Sequence, residues 1–160
     1  MAKTHDDIRR IYDSIDNIKR LSDRIVGIGP INIIGLDGIL SWIPIPWLNS
    51  AYSLIAGGFM VIQGLRARCD VTTLAAAIIV ILIDSGVSSL DGILPILPAG
   101  SIADTLFQGH LYAAHMIQKD IEKTMYFEGS ASEAHRSGEH EQNLADMRAT
   151  KGKKRIVYLG

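Results

Sequence analysis

The chain has one cysteine, Cys69, so no disulfide can form within it. A nucleophilic thiol also needs a base beside it, and no residue spacing supplies one. The histidines are few and badly placed for a metal. His110 and His115 are five apart and do not share a helix face, while His135 and His140 fall in a polar segment. There is no Gly-x-Ser-x-Gly elbow. Gly27 and Gly29 are followed by Pro30 rather than by Lys-Ser/Thr, so they make no phosphate loop. These absences argue against an enzyme, a cofactor and a metal. Neither sign of charge is in excess: 16 basic and 17 acidic residues leave a net charge of -1. That excludes bulk attraction to nucleic acid, and no nucleic-acid partner is expected.

The most informative shortage is local. Residues 25–65 and 69–118 contain no Lys or Arg. A water-facing surface normally intersperses both signs. Two basic-free, apolar-rich blocks flanked by basic residues read as membrane-inserted segments. The alternative is a helical core facing water, but such helices seldom run so far without a basic residue on their outer face. At 160 residues the chain has room for one domain with tails. It is divided here into residues 1–26, 27–127 and 128–160.

Residues 5–25 predict an amphipathic helix. Ile8, Ile15 and Ser22 recur every seven residues, as do Ile11, Ile18 and Ile25. Tyr12 and Leu21 widen the stripe, and the opposite face carries mixed charge. Packing on the protein's own body suits it better than lying on lipid, because lipid-surface helices favour a basic polar face. No apolar run suitable for a signal peptide follows residues 1–24.

The middle contains a repeat. Leu36-Asp37-Gly38-Ile39-Leu40 recurs as Leu90-Asp91-Gly92-Ile93-Leu94, and Pro44 aligns with Pro98 at the same offset. The two copies span about residues 35–65 and 89–123, each an Asp-Gly turn, a proline break and then a helix. Those helices are expected at about Trp47–Leu65 and Ser101–Lys123, with a third at Val71–Ser85. Ser53 with Gly57, and Gly109 with Ala113, are small pairs that let helices approach closely. The prolines favour two re-entrant hairpins over two simple spans.

Asp37, Asp84, Asp91 and Asp104 are acids in apolar surroundings. Two readings compete for them. They are turn or N-cap residues, or they line a proton or cation site between the repeats.

Residues 128–160 turn polar and predict a solvated, flexible tail. Its basic cluster, Lys151, Lys153, Lys154 and Arg155, is a candidate contact for anionic lipid or a partner. The apolar Ile156-Val157-Tyr158-Leu159 that follows could pair as a strand or dock in a groove.

Leu21-Ser22-Asp23-Arg24, Gly35-Leu36-Asp37-Gly38 and Ile43-Pro44 resemble the opening motif of a bacterial membrane family known as domain of unknown function 4112. Gly92, Pro95 or Pro98, Gly100 and Asp104 approximate its second motif. The chain departs from it at Pro46-Trp47-Leu48-Asn49-Ser50, where the family has Gly-x-Gly-Asp. His110 stands near the place of a usual Asn. The resemblance covers about residues 20–125 and implies membrane location and fold rather than chemistry.

The expectation is therefore an all-α integral membrane protein of two pseudo-repeats, in the bacterial inner membrane with cytoplasmic termini. Its partners would be the lipid bilayer and other membrane subunits or further copies of itself. Its function would be that of a structural or accessory subunit docking onto a larger membrane assembly. The alternative is a small oligomeric transporter or pore that uses the aspartates.

Overall fold

The computed structural model describes residues 1–26, 47–90 and 109–160, with side chains described for 1–20, 54–84 and 109–160. In chain order the elements are α1 (His5–Val26), α2 (Trp47–Arg66), α3 (Val71–Leu90), α4 (Gly109–Lys123), β1 (Thr124–Phe127), α5 (Ala131–Ser137), α6 (Glu139–Ala149) and β2 (Arg155–Tyr158).

Helices α2, α3 and α4 pack against one another, and α1 lies on α2 and α4. The isoleucine stripe of α1 faces inward: Ile8, Ile11 and Ile15 are buried, and Ile18 packs on the same core. Polar contacts fix the seat of the helix. The Tyr12 hydroxyl donates to Glu122 Oε1 at 2.6 Å, and Gln63 Nε2 donates to Ser14 Oγ at 2.9 Å. Small residues set the spacing of the other three helices. Ala77, Ala113 and Ala114 are fully buried among them, as are the larger side chains of Met60 and Ile117.

Strand β1 continues straight out of α4 and pairs in parallel with β2, in the register Thr124–Arg155 to Phe127–Tyr158. A parallel pair needs a crossover, and α5 and α6 form it. The ladder is extended at both ends. Lys154 N–H donates to Lys123 O at 2.8 Å, and Leu159 N–H donates to Phe127 O at 2.9 Å. Gly138, at φ +82°, ends α5 and starts α6 in the left-handed conformation that favours glycine.

Two expectations are corrected here. The fold is not all-α: it is mostly helical, with a small two-stranded sheet formed by the apolar C-terminal segment. The expectation of an integral inner-membrane fold is contradicted as well: among the described residues no helix is long and apolar enough to cross a membrane. The apolar run Val71–Ile83 covers about 20 Å at about 1.5 Å per residue before it meets buried Asp84, against about 30 Å of bilayer hydrocarbon. The transmembrane and inner-membrane assignments fall with that finding. Both Asp-Gly-Pro breaks lie outside the described residues, as do most of the residues behind the family resemblance.

Candidate functional site

Two places in the structure gather unusual chemistry. One is a polar junction at the α2–α3 turn, and the other is the outward surface of the same two helices.

The junction starts from how α2 ends. Cys69 N–H donates to Gly64 O at 2.9 Å and Arg68 N–H to Leu65 O at 3.1 Å. This is a Schellman cap, whose left-handed position is normally glycine. Here it is Arg68, at φ +55°. Its guanidinium accounts for the choice, because it donates to the carbonyls of Tyr158 and Leu159 in the C-terminal segment. The cap therefore also holds β2.

The carbonyls at the end of α2 and in the turn after it are each taken by a different part of the chain. Arg66 O accepts Ala2 N–H at 2.9 Å, Ala67 O accepts the Tyr126 hydroxyl at 2.9 Å, and Arg68 O accepts Arg155 Nη2 at 2.9 Å. The N-terminus, β1 and β2 thus converge on one helix end. A cation there also meets the negative end of the helix dipole.

Arg155 binds further. Its Nη2 reaches Asp120 Oδ2 at 3.1 Å and Thr124 Oγ1 at 3.0 Å. Asp120 in turn accepts Asp70 N–H at 2.8 Å, which fastens the start of α3 to α4. Asp70 caps α3: its side chain accepts the Thr72 hydroxyl, and that hydrogen bond holds its carboxyl below the usual range.

The one thiol sits in this junction and is not poised for chemistry. Burial, and then the neighbouring Asp120, push Cys69 up to about 12. Burial likewise raises Tyr126 above the ordinary phenol range. A thiol and a phenol kept neutral, with their neighbours engaged in backbone hydrogen bonds, make a fastening rather than a reaction centre.

The second place is the outer surface of α2 and α3. On α2, Leu54, Ile55, Ile62 and Leu65 are exposed; on α3, Val71, Ile78, Ile79, Leu82 and Ile83 are. Ile55 is 73% and Val71 76% accessible, more than a buried helix would allow. Among exposed residues 54–84 only Arg66 is charged, and only Thr72 is otherwise polar. Scattered single apolar residues on a surface are ordinary, but a clustered charge-free face is not.

The residues singled out in the sequence distribute as follows. Asp84 is 4% exposed and sits under Gly109, where an added Cβ would fall 2.5 Å from the Asp84 Cβ. Asp37, Asp91 and Asp104 lie outside the described residues, and so does the side chain of Ser53. Gly57 meets the Ile81 side chain, and Ala113 is fully buried. Lys153 donates through Nζ to Glu122 O and Thr124 O, both at 2.8 Å, and Arg155 is in the junction. Only Lys151 and Lys154 of that basic cluster are exposed.

Sequence reasoning missed the junction altogether. It also missed the contact between the His135 and His140 rings, 3.8 Å apart between centroids, beside the Tyr158 hydroxyl. The signal that was present is Arg68 itself, a basic residue directly after an apolar helix and well separated from the basic ends. Among the described residues no three metal-ligating side chains come together. Comparison with family models, with curated proteins and with solved structures finds no match for the chain.

Proposed function

We propose that the chain is a non-enzymatic structural or accessory subunit that joins a larger assembly through the outward face of α2 and α3. The observation that carries this reading is the apolar surface running from Leu54 to Ile83, on which Arg66 is the one exposed charge. Covering such a surface releases about 25 cal/mol per Å2, whereas leaving it in water invites nonspecific association. The polar junction supports the same reading. It uses two half-buried arginines, Arg68 and Arg155, to fasten the C-terminal strand to the helices, which gives a rigid body for the face to sit on. The pore alternative requires helices that cross a bilayer and finds none among the described residues.

The test is the native size of the chain in lysate of its own cells. The pair Ile79→Asp and Leu82→Asp changes two side chains that are more than half exposed, so the folded body tolerates it. The wild type should migrate in a species larger than the free chain, and the pair should return it to the free position with helical circular dichroism intact. An unchanged size profile would remove the reading.

A further inference from the structure

The outward stripe of α3 has a spacing of its own. Val71, Ala75, Ile78 and Leu82 are separated by four, three and four residues, and all four are exposed. That is the a/d spacing of a helix seam, in which each side chain enters a hole on a facing helix. The helix already uses its other side for the core, through Leu74, Ala77 and Ile81. A second seam facing outward has no partner within the described chain, and its spacing fits another helix.

The chemistry of the seam's flanks identifies that helix. Charged residues beside an a/d seam are what select one partner over another. Here the exposed flanking positions are Thr72 and Ile79, neither of which is charged, while Leu74 and Ile81 on the other flank are buried in the core. No charge on α3 therefore repels an identical seam, and a net charge of -1 adds no long-range repulsion between copies. Area gives the same answer. The exposed Leu, Ile and Val side chains of α2 and α3 together present on the order of 900 Å2, against about 800 Å2 per partner in a standard stable interface. A face this apolar also matches the composition of homodimer interfaces rather than transient ones.

We infer that the occupant of this face is a second copy of the chain, seated isologously so that α3 packs on α3 of its partner. This inference rests on the docking reading above and names its partner.

The test is the mass of the full-length wild type in solution, by sedimentation equilibrium across a hundredfold range of concentration. A dimer is expected. Ile78→Asp with Leu82→Asp should give a monomer and weaken association at least a hundredfold, with helicity retained. Ala75→Cys, placed on the exposed seam while Cys69 stays buried, should form a covalent dimer on mild oxidation in the folded protein. A monomeric wild type overturns the inference whatever the variants do. A dimer that persists in the aspartate pair, without cross-linking at Ala75→Cys, overturns it as well. A wild type that is monomeric alone and associates only with added lipid vesicles also overturns it. The docking reading survives a monomeric result if the exposed-face aspartates still free the chain from its cellular assembly, and it falls if they do not.

Discussion

Arg68 and Arg155 hold one another's backbone segments, the cap of α2 and the C-terminal strand. The Arg155 guanidinium donates to the Arg68 carbonyl at 2.9 Å, while the Arg68 guanidinium donates to the carbonyls of Tyr158 and Leu159 just beyond it. Each charge is matched to oxygens, Arg155 to Asp120 and to the carbonyl that follows α2, and Arg68 to the two carbonyls of the C-terminal segment. Arg155→Met should cost about 2–3 kcal/mol, because Asp120 and the Arg68 carbonyl lose a partner in a half-buried site. Arg155→Lys should recover only part of that, since the guanidinium also donates through Nε to Thr124 Oγ1 and a lysine has a single donor nitrogen. Urea unfolding of the three proteins measures both differences.

Arg68→Gly separates backbone from side chain. Glycine removes about 1 kcal/mol of strain at the left-handed position. It also removes two charge-assisted bonds to β2, worth about 1.5–3 kcal/mol each. The net should be destabilising, with the loss concentrated in the sheet. Hydrogen exchange should show Leu159 N–H and Gly160 N–H losing protection while α3 and α4 keep theirs. Net stabilisation would mean that the Arg68 side chain contributes little.

How far the sequence announced all this differs by element, for physical reasons. The α1 stripe was legible because a seven-residue recurrence of isoleucine leaves one helical face no other use. The starts of α2 and α3 were legible from Pro46 and from the Arg68–Asp70 break. The sheet was not: Thr124–Phe127 and Arg155–Tyr158 are four residues each, too short for alternation to show, and they pair across an intervening pair of helices. The basic residues were counted by sign alone. Their count cannot reveal that Arg68, Lys153 and Arg155 are bound to carbonyls inside the fold. The largest misreading came from α2 and α3. A helix whose outer face meets lipid and a helix whose outer face is simply exposed and apolar have the same composition, so apolarity on both sides could not distinguish them.

The glycines give a paired test of close packing. At Gly109 an added Cβ would meet Asp84 Cβ at 2.5 Å and the Val80 carbonyl at 3.0 Å. Gly109→Ala should therefore push α4 off α3 and cost about 1–3 kcal/mol. Gly58, one residue from tightly packed Gly57, has nothing within 4 Å. Gly58→Ala should stabilise by about 0.5–1 kcal/mol through helix propensity. Thermal melts of the two variants should move in opposite directions; a Gly109→Ala melt that does not fall would contradict the α3–α4 contact, and a Gly58→Ala melt that falls would contradict the open space beside α2.

Cys69 is a built-in reporter of the junction. Its thiol is buried and held protonated up to about 12, by burial first and by Asp120 second. At pH 8 a thiol reagent should label the native chain roughly 1,000-fold more slowly than the urea-unfolded chain, because labelling must wait for opening. Arg155→Met should speed native labelling by loosening the same junction. Fast labelling of the wild type would place Cys69 at the surface.

Alkaline pH should act through Tyr12. Its hydroxyl donates to Glu122 at 2.6 Å, and that hydrogen bond raises it to about 12 from an unfolded value of about 10. The folded state thus keeps a proton that the unfolded state releases, so stability falls as pH rises through that window. Below about pH 10 the contribution is fully present, and above about 12 it is gone. Tyr12→Phe should therefore be less stable than the wild type at pH 8, with the gap closing towards pH 12. Absorbance at 295 nm, compared between wild type and Tyr12→Phe, isolates the phenol itself. Glu122→Gln should bring its titration back towards about 10, since the neutral amide no longer favours the protonated form. A Tyr12 that titrates near 10 in the wild type would mean that the contact between α1 and α4 is not made.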